Sequence, residues 1–446
     1  MHDDLISKVD TLFPQLQADL EALVRVPSVS ADGFDPANVR ASANDVAARL
    51  TDVGFQDVRL LEMDGAHPAV FGEIPAPEGQ PTVLLYAHHD VQPPGPDDIW
   101  DTPAFDPTTI DGRMYGRGSS DDKTGVIMHL GAILAHDKRP PVGVKVFIEG
   151  EEEIGSTHLL DFLNTYKEEL RSDAIVIADA GTWAVGEPAL TTSLRGLVDC
   201  EVTVSTLSAG VHSGIFGGVV PDSLTSLCRL LATLHDDNGE VAVPGLVSYE
   251  EKGPDLSESD IRSQAGLLDG VNLIGSGPLT SRTWSKPAIS VLAMDTPPLK
   301  EAINQLLPSA TAKVSMRLAP GQDPAKAMNA LRTHLETNAP WGARVSVVEG
   351  ATGEPYKLDT TGPAYDAFRA AFREAWGTDT IDMGSGGSIP FVAAFSEAYP
   401  DASILLTGAG DPTSRIHGPN ESVDLDDLRR SVAAEAIALR LMTREL

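Results

Sequence analysis

An apolar run at residues 83–87 is followed directly by two imidazoles and a carboxylate, His88, His89 and Asp90. Side chains two positions apart on an extended strand point the same way, so Asp90 can hold one ring nitrogen of His88 while the other nitrogen binds a metal ion. His89 then points to the opposite side. The spacing therefore predicts His88 as a metal ligand and Asp90 as the carboxylate that orients its ring.

Four further stretches place acidic or imidazole side chains where an apolar run ends. They supply Asp121 and Asp122, the glutamates Glu151, Glu152 and Glu153, then Asp179, and finally His417. Ligands of open α/β sheets gather beyond the carboxyl ends of the strands, so these side chains are expected to meet. Imidazole nitrogens and carboxylate oxygens suit zinc or manganese, and two histidines with three carboxylates suffice for two ions that share one bridging carboxylate.

The three consecutive glutamates offer a division of roles. Hydrolysis by a metal-activated water needs one carboxylate on the metal and a second, unligated carboxylate that takes the proton of the water. Two other interpretations stay open for the single residues. Glu151 to Glu153 suit the positive end of a helix dipole, and Asp121 or Asp122 could cap a helix that begins near Lys123. The occurrence of all these groups at the ends of apolar runs favours a metal site.

The elements that must position these groups follow from the periodicity of the apolar residues. Apolar residues at spacings of three and four predict a helix over residues 4–24, and strand-like and helix-like runs alternate up to about residue 190. Residues 197–205 instead alternate with a period near two, as in a strand with one wet face. We therefore expect an α/β catalytic domain with a mostly parallel sheet at residues 1–190 and 351–446, interrupted by an α+β domain at residues 191–350.

Charge and cysteine content exclude several function classes. The chain has 33 Lys and Arg residues against 65 Asp and Glu residues, a formal charge of −32, which repels phosphate backbones and anionic lipid surfaces. Nucleic-acid and membrane partners are therefore not expected. Cys200 and Cys228 do not make a disulfide framework and are both expected in the core. No apolar run approaches the ~18 residues needed to cross a bilayer, so a cytoplasmic protein is the expectation.

Eight segments, taken in order, resemble a family of cocatalytic zinc peptidases that includes carnosinases, cytosolic nonspecific dipeptidases, desuccinylases and glutamate-releasing carboxypeptidases. The segments are YAHHDVQP, WDTPAFDP, DGRMYGRGSSDDK, EGEEEIGS, HSGIFGG, RLAPGQDP, GGSIP and HGPNE. They span nearly the whole chain. The resemblance implies a zinc-peptidase-like catalytic domain and an inserted α+β domain of ferredoxin-like type, which serves as a lid and as the interface of a homodimer.

The resemblance also implies the ligands of two zinc ions, with manganese or cobalt as alternatives. These ligands are His88, Asp121, Glu153, Asp179 and His417. Asp121 would bridge the two ions, and Glu153 would join the metal of His88 or its neighbour. Glu152 matches the general base of the family, and Asp90 matches its ring-orienting carboxylate. The peptide bond between Asp121 and Asp122 is similar to one that is cis in relatives.

The inserted domain and the segment before Pro390 carry the residues that the resemblance assigns to the substrate. His212 corresponds to a histidine that reaches toward the oxyanion, often from the partner subunit, and Arg317 to an arginine that contacts the substrate carboxylate. Taken alone, they would be a loop histidine and a surface charge on a strand. Ser385, Gly386 and Ser388 would line the bound substrate.

Metal-assisted hydrolysis of an amide is the expected reaction. Glu152 would accept a proton from a metal-bound water, and the resulting metal-bound hydroxide would attack the carbonyl of a small peptide. Glu152 would then pass the proton to the leaving amine. Within the family, Asp179 favours the dipeptidase branch, although Gly384 and Ser385 replace an Arg-Glu pair that is usual in carnosinase-like members. Deacylation of N-acyl or N-succinyl amino acids is the alternative at the same centre, and a catalytically silent metal-binding scaffold is the alternative of another class. A phosphoesterase is disfavoured by the negative charge and by the lack of a Gly-rich phosphate cradle.

Overall fold

The structure is a computed structural model that describes residues 2–387 and 390–444. The chain divides into two compact units. Unit 1 comprises Met1–Thr192, Leu358–Met383 and Pro390–Leu446, and unit 2 comprises Ser193–Lys357 and Gly384–Ile389. The main segment of unit 2 thus begins slightly after and ends slightly beyond the residues 191–350 expected for the inserted domain, and unit 2 also includes a second, short segment.

The strands and helices of the described residues have the following bounds. The strands are β1 (Gln56–Leu61), β2 (Ala69–Ile74), β3 (Thr82–His88), β4 (Thr108–Ile110), β5 (Arg113–Tyr115), β6 (Gly143–Glu149), β7 (Ala174–Ile177), β8 (Ala189–Leu194), β9 (Gly196–Ser205), β10 (Val211–His212), β11 (Ala288–Asp295), β12 (Gln305–Leu306), β13 (Ser309–Leu318), β14 (Arg344–Gly353), β15 (Tyr356–Lys357), β16 (Ile381–Ser385), β17 (Ser403–Leu406) and β18 (Ser422–Asp424). The helices are α1 (Asp3–Val24), α2 (Pro36–Asp52), α3 (Lys123–Ala135), α4 (Leu159–Thr165), α5 (Lys167–Leu170), α6 (Ser213–Phe216), α7 (Ser223–Ala232), α8 (Glu258–Ala265), α9 (Leu279–Trp284), α10 (Pro324–Thr337), α11 (Pro363–Trp376), α12 (Pro390–Ala398) and α13 (Leu425–Leu441).

The main sheet of unit 1 has the strand order β1-β2-β6-β3-β7-β17-β8. Its central strands β6, β3, β7 and β17 are parallel, with His88 opposite Glu149 and Leu406 opposite Ile177. The outer strands β1, β2 and β8 pair antiparallel with their neighbours. The parallel arrangement predicted for this sheet thus holds at its centre, and the central strands all end at the same edge.

Helix α3 lies between this sheet and the outer helices α1 and α13. It is buried on almost every side from Lys123 to Ile133, which explains why its sequence has no polar stripe. Gly131 lets the neighbouring helices approach closely. A Cβ atom at this position would lie 2.6 Å from a methyl carbon of Val432 on α13 and 2.9 Å from one of Leu16 on α1.

Unit 2 contains an antiparallel sheet with the order β11-β13-β9-β14, and helices α7 and α10 pack against it. Apart from the short elements β10, α6 and β12 and the segment that carries α8 and α9, the chain order is β9-α7-β11-β13-α10-β14. This is the ferredoxin-like arrangement that was expected for the insertion. The period-two pattern of β9 corresponds to buried Val198, Cys200, Val202 and Val204.

The expectation that both cysteines are core residues is wrong for one of them. Cys200 is buried, but Cys228 on α7 is exposed. The buried face of α7 carries Leu227 and Leu230, and a helix turns by about 100° per residue. Cys228 therefore faces away from the leucine stripe, on the same exposed side as Arg229.

Within residues 2–387 and 390–444, no helix is both long enough and apolar enough to cross a membrane.

Candidate metal centre

The last residue of β3, His88, is completely buried and has carboxylates on both sides of its ring. Its Nε2 lies 3.0 Å from Oδ1 of Asp121. Its Nδ1 lies 3.1 Å from the main-chain oxygen of Asp90 and 3.4 Å from the carboxylate oxygen Oδ1 of the same residue. Asp90 therefore holds one side of the imidazole, and the other side faces the acidic cluster.

Asp121 lies between two imidazoles that come from distant parts of unit 1. Its Oδ1 faces His88, and its Oδ2 is 3.1 Å from Nε2 of His417. Nε2 of His417 is also 3.0 Å from Oε2 of Glu153. The peptide bond between Asp121 and Asp122 is cis, as the resemblance implied.

Glu152 and Asp179 complete the cluster. Oε2 of Glu152 and Oδ1 of Asp179 each lie 4.0 Å from Nε2 of His88. One possible donor atom from each of His88, Glu152 and Asp179 falls within a common span of 4.8 Å, and the same holds for His88, Asp121 and Glu153. The structure therefore brings together the side chains of the five residues that were predicted as ligands, and Glu152, the predicted base, lies beside them.

The adjacent acids and imidazoles that sequence spacing could not separate have different positions. Asp122 caps α3 by accepting the backbone N–H of Gly125 at 3.1 Å, and it also accepts the N–H of His88 at 3.2 Å. Nε2 of His89 lies 3.0 Å from the carbonyl oxygen of Pro68, and burial lowers the pKa of His89 to about 4. His89 thus faces away from the cluster, and Asp122 is the capping residue.

Glu151 also faces away from the cluster. Its carboxylate accepts the backbone N–H of His67 at 3.1 Å and that of His158 at 2.7 Å. These bonds fix the start of the loop that carries the other two glutamates.

Asp90 also supports the glutamate loop, which the sequence did not indicate. Its Oδ1 accepts the backbone N–H of Glu152 at 3.2 Å, and its Oδ2 accepts that of Glu153 at 3.1 Å. The hydroxyl of Ser30 donates to the same Oδ2 at 2.6 Å. One buried carboxylate therefore orients both the imidazole of His88 and the loop of the predicted base.

Gln92 and Glu421 are further residues that sequence reasoning missed. Gln92 donates its backbone N–H to Oε1 of Glu153 at 3.1 Å and its side-chain amide to Oε2 at 2.8 Å. Glu421 accepts the backbone N–H of Asp121 at 3.0 Å. Their signal in the sequence is their place inside YAHHDVQP and HGPNE, the segments that also contain His88 and His417.

The imidazoles bind protons strongly when only protein groups surround them. Burial would lower the pKa of His88, but hydrogen bonds to Asp121 and Asp90 outweigh burial and raise it. Hydrogen bonds to Asp121 and then to Glu153 raise the pKa of His417 to about 10. Burial would raise the pKa of Asp121, but its bonds to the two imidazoles hold the pKa below the usual value.

The other three carboxyl groups of the cluster, unlike Asp121, have raised pKa values. Burial, with the neighbouring charges of Glu153 and Asp121, raises the pKa of Glu152 to about 8. Burial and the charge of Asp121 likewise raise the pKa values of Glu153 and Asp179. The cluster therefore holds more acid than two imidazoles neutralise, and divalent cations would supply the missing positive charge. Nitrogen and oxygen donors in this ratio suit zinc, manganese or cobalt.

Those predicted substrate residues that the structure describes lie in unit 2. His212 is exposed, and its Nδ1 accepts the backbone N–H of Gly214 at 3.0 Å. Arg317 is half-buried on β13. The carbonyl oxygens of Ser385 and Gly386 accept hydrogen bonds from Arg195, from its backbone N–H at 3.1 Å and its Nε at 3.3 Å. Ser388 lies outside the described residues.

Arg195 is another residue that the sequence analysis did not single out. Burial and the nearby charge of Arg317 lower its pKa to about 10, so unit 2 places two guanidinium groups close together. An isolated arginine at the end of a strand pattern carries no signal of such a neighbour.

Metal-dependent hydrolases of the α/β class gather imidazole and carboxylate ligands beyond the ends of parallel strands, and unit 1 does the same. The sequence places the protein more narrowly. Residues 84–440 match the sequence model of Peptidase family M20/M25/M40. The chain belongs to this family and is a metallopeptidase, as the resemblance of its motifs predicted.

Known relatives agree with this assignment. The cysteinylglycine-S-conjugate dipeptidase of Corynebacterium striatum is 35% identical over 398 residues, which cover 88% of this chain and 87% of that protein. The solved structure of the dipeptidase Dug1p from Saccharomyces cerevisiae superposes with a TM-score of 0.83 at 24% identity, covering 99% of this chain and 98% of that one. At this identity the likeness shows the shared fold.

A more distant solved structure of the family is described as binding two metal ions. The YXEP protein of Bacillus subtilis, described as a dinuclear metal-binding peptidase, matches with a TM-score of 0.60 at 14% identity, covering 97% of this chain and 99% of that one. The fold of this chain is thus one on which a dinuclear metal site has been found.

Proposed function

We propose that this chain is a metal-dependent dipeptidase that hydrolyses dipeptides and other short peptides with two divalent metal ions and with Glu152 as general base. The observation that carries the proposal is the position of Asp121, whose two carboxylate oxygens lie 3.0 and 3.1 Å from the Nε2 atoms of His88 and His417. A carboxylate between two imidazoles is the arrangement that two metal ions with a shared ligand need.

The contacts divide the ligands into two sets. Asp179 lies near His88, Glu153 lies against His417, and Asp121 is common to both. Each set then offers one imidazole and carboxylate oxygens, which suits zinc in both positions, with manganese or cobalt as alternatives. When bound, such ions would polarise the peptide carbonyl and make a water molecule more acidic.

Glu152 is placed to move the proton. Its backbone N–H is fixed by Asp90, and its carboxylate faces the cluster 4.0 Å from Nε2 of His88. A carboxylate whose pKa is raised above its ordinary value accepts a proton from the attacking water and returns it to the leaving amine near neutral pH. The positive charge of bound ions lowers that pKa again, so the working value lies below the metal-free one.

The residues of unit 2 have proposed roles in binding. Arg317 contacts the substrate carboxylate, and Ser385, Gly386 and Ser388 line the bound peptide. His212 stabilises the oxyanion and is contributed by the partner subunit of a homodimer that forms through the inserted domain. A cytoplasmic location also remains a prediction.

The substrate class is proposed from the named relative. The enzyme of Corynebacterium striatum acts on cysteinylglycine S-conjugates, so we propose that dipeptides with a C-terminal glycine and a sulfur-containing first residue are accepted here. The carboxylate of the glycine would be the group that Arg317 recognises.

The test is a substrate panel with the purified protein loaded with zinc, manganese or cobalt. The panel compares Cys-Gly, an S-alkyl Cys-Gly conjugate, β-Ala-His and a set of N-acyl and N-succinyl amino acids. We expect hydrolysis of the dipeptides, with the Cys-Gly compounds fastest. Cleavage of only the acylated amino acids would show a deacylase instead, and no cleavage with any of the three metals would indicate a silent scaffold.

A further inference from the structure

A fully buried ion pair lies directly behind the metal centre of unit 1. Arg117 and Glu421 are 1% and 0% exposed, and Nη1 of Arg117 donates to Oε2 of Glu421 at 2.6 Å. Removing two charges from water is costly, and such a pair is weak support for stability by itself. The contacts that the two side chains make with other groups therefore indicate their role.

The carboxylate of Glu421 binds the backbone of the loop that ends at Asp121. It accepts N–H groups from Gly118 at 3.1 Å, from Ser120 at 2.9 Å and from Asp121 at 3.0 Å. Gly118 has a positive φ of +83°, and a Cβ atom there would lie 2.6 Å from a methyl carbon of Val91. The loop can curl around the carboxylate only because glycine occupies this position.

The guanidinium of Arg117 binds the backbone of the loop that carries His417. Its Nη2 is 3.2 Å from the carbonyl oxygen of His417, 3.3 Å from that of Gly418 and 3.4 Å from that of Pro93. The guanidinium carbon also lies 5.5 Å from the ring centroid of Trp100. Arg117 is thus enclosed by acceptors and by an aromatic face.

The pair connects two of the residues that meet at the metal centre. Glu421 holds the main chain at Asp121, and Arg117 holds the main chain at His417, while an ion pair joins the two side chains. The pair is neutral as a whole, so it adds no net charge to a cluster that already contains excess acid. Its contribution to the centre is therefore geometric.

We infer that Arg117 and Glu421 are positioning residues for the metal pair, which fix the bridging carboxylate of Asp121 relative to the imidazole of His417. This inference rests on the proposed function, because it assigns the pair a role toward the two bound ions. Glu421 must be a carboxylate for this role. The groups that contact it here, Arg117 Nη1 and the three backbone N–H groups, all donate hydrogen bonds, so a glutamine amide would place its own donors against donors.

The experiment compares the metal affinity of the full-length protein and of Glu421→Gln by competition with a chromogenic zinc chelator, and it counts bound zinc by elemental analysis. Loss of a partner behind a metal ligand typically weakens metal binding by about 10–100-fold. We expect a loss of this size in Glu421→Gln. Arg117→Lys keeps the charge but not the planar fork, and we expect a smaller loss in the same direction.

Glu435→Gln is the matched control. Glu435 is equally buried: its Oε1 lies 2.9 Å from Nδ1 of His129, between α13 and α3, and both side chains are 1% exposed. This variant should lower the unfolding temperature and leave both zinc affinities unchanged. If Glu421→Gln does not fold, the zinc affinities of Arg117→Lys and Glu435→Gln are compared with that of the unchanged protein instead.

The outcomes separate this inference from the proposed function. If the unchanged protein binds about two zinc ions and cleaves dipeptides, the proposed function stands whatever the variants do. The inference is then overturned if Glu421→Gln or Arg117→Lys binds both ions as tightly as the unchanged protein, or if Glu435→Gln loses zinc to the same extent. A protein that binds neither zinc nor manganese nor cobalt overturns both.

Discussion

Oδ2 of Asp121 lies 3.1 Å from Nε2 of His417, although the two residues are far apart in the sequence. The contact exists because unit 1 is discontinuous and its C-terminal segment returns to the sheet through β17, which pairs parallel with β7. Both parts of unit 1 are therefore needed before the ligand set is complete.

Replacement of Asp121 by asparagine should remove the shared ligand while keeping the shape of the side chain. We expect bound zinc to fall from about two ions to one or none per chain, and metal affinity to fall by more than the roughly 10–100-fold expected for residues behind the ligands. Elemental analysis after dialysis measures this. Asp35→Asn is the control, because Asp35 caps α2 away from the centre and asparagine caps equally well. Two tightly bound ions in Asp121→Asn would contradict the bridging role.

Glu152→Gln should separate proton transfer from metal binding. The amide cannot accept a proton, so we expect kcat to fall by about 10²–10⁴-fold while the bound metal stays at the level of the unchanged protein. The alternative is also visible in the structure, because Glu152, Asp179 and His88 all have donor atoms within 4.8 Å of one another. Loss of one metal ion from Glu152→Gln would identify this glutamate as a ligand.

Asp90→Asn should reduce activity or metal affinity more than Ser30→Ala does. Asp90 accepts the N–H groups of Glu152 and Glu153 and faces His88, whereas Ser30 contributes one hydrogen bond to that carboxylate. We expect about 10–100-fold loss of activity or metal affinity in Asp90→Asn, and a loss worth about 0.5–1.5 kcal/mol in Ser30→Ala. Steady-state kinetics and chelator competition measure both. An equal or larger effect in Ser30→Ala would show that the hydroxyl acts in another way.

The sequence was informative where chemistry coincides with a periodic pattern. His88 and Asp179 follow apolar runs that become the parallel strands β3 and β7, and parallel strands must end at one edge of the sheet. Their meeting was therefore predictable before any coordinates. His417 follows β17 by a longer loop, so the end of its strand predicted its place less directly, and the resemblance of its motif supported the prediction.

The pattern of residues in the sequence did not predict roles that depend on backbone hydrogen bonds inside loops. Asp121 and Asp122 are chemically identical neighbours that spacing alone could not separate. The resemblance assigned Asp121 to the metals, and the folded loop shows that Asp122 caps α3 while Asp121 faces two imidazoles. The same applies to Glu421, whose partners are main-chain N–H groups that carry no residue-specific signal. The positions of such side chains depend on the conformation of the loops, which the periodicity of apolar residues does not predict.

The metal-free protein should show a pH dependence that comes from His417. Its folded pKa is raised to about 10, above the ordinary value of 6.5, so its protonated form stabilises the fold. That contribution is complete below pH 6.5 and is lost as the pH rises through about 10. In EDTA at pH 6, the unfolding temperature of the unchanged protein should therefore be higher than that of His417→Ala. The difference between the two temperatures should narrow toward pH 10.

Saturating zinc should reverse this trend, because metal ions bind deprotonated imidazole and carboxylate groups more tightly as the pH rises. With zinc, the gap in unfolding temperature between the unchanged protein and His417→Ala should widen from pH 6 to pH 8. Differential scanning calorimetry with and without EDTA measures both trends. A gap in EDTA that stays constant or grows with pH would contradict the hydrogen bonds assigned to His417.

A mixture of two inactive variants should test whether His212 acts across a dimer. His212→Ala lacks the proposed oxyanion group, and Glu152→Ala lacks the proposed base, so each homodimer should be inactive. If His212 serves the partner subunit, every hybrid dimer contains one site with both residues intact. Co-expression in equal amounts should then restore roughly a quarter of the unchanged activity, since about half of the dimers are hybrids with one working site each. Activity no greater than the sum of the separate variants would place His212 and Glu152 in the same subunit's site, or show that the chain does not form the proposed dimer.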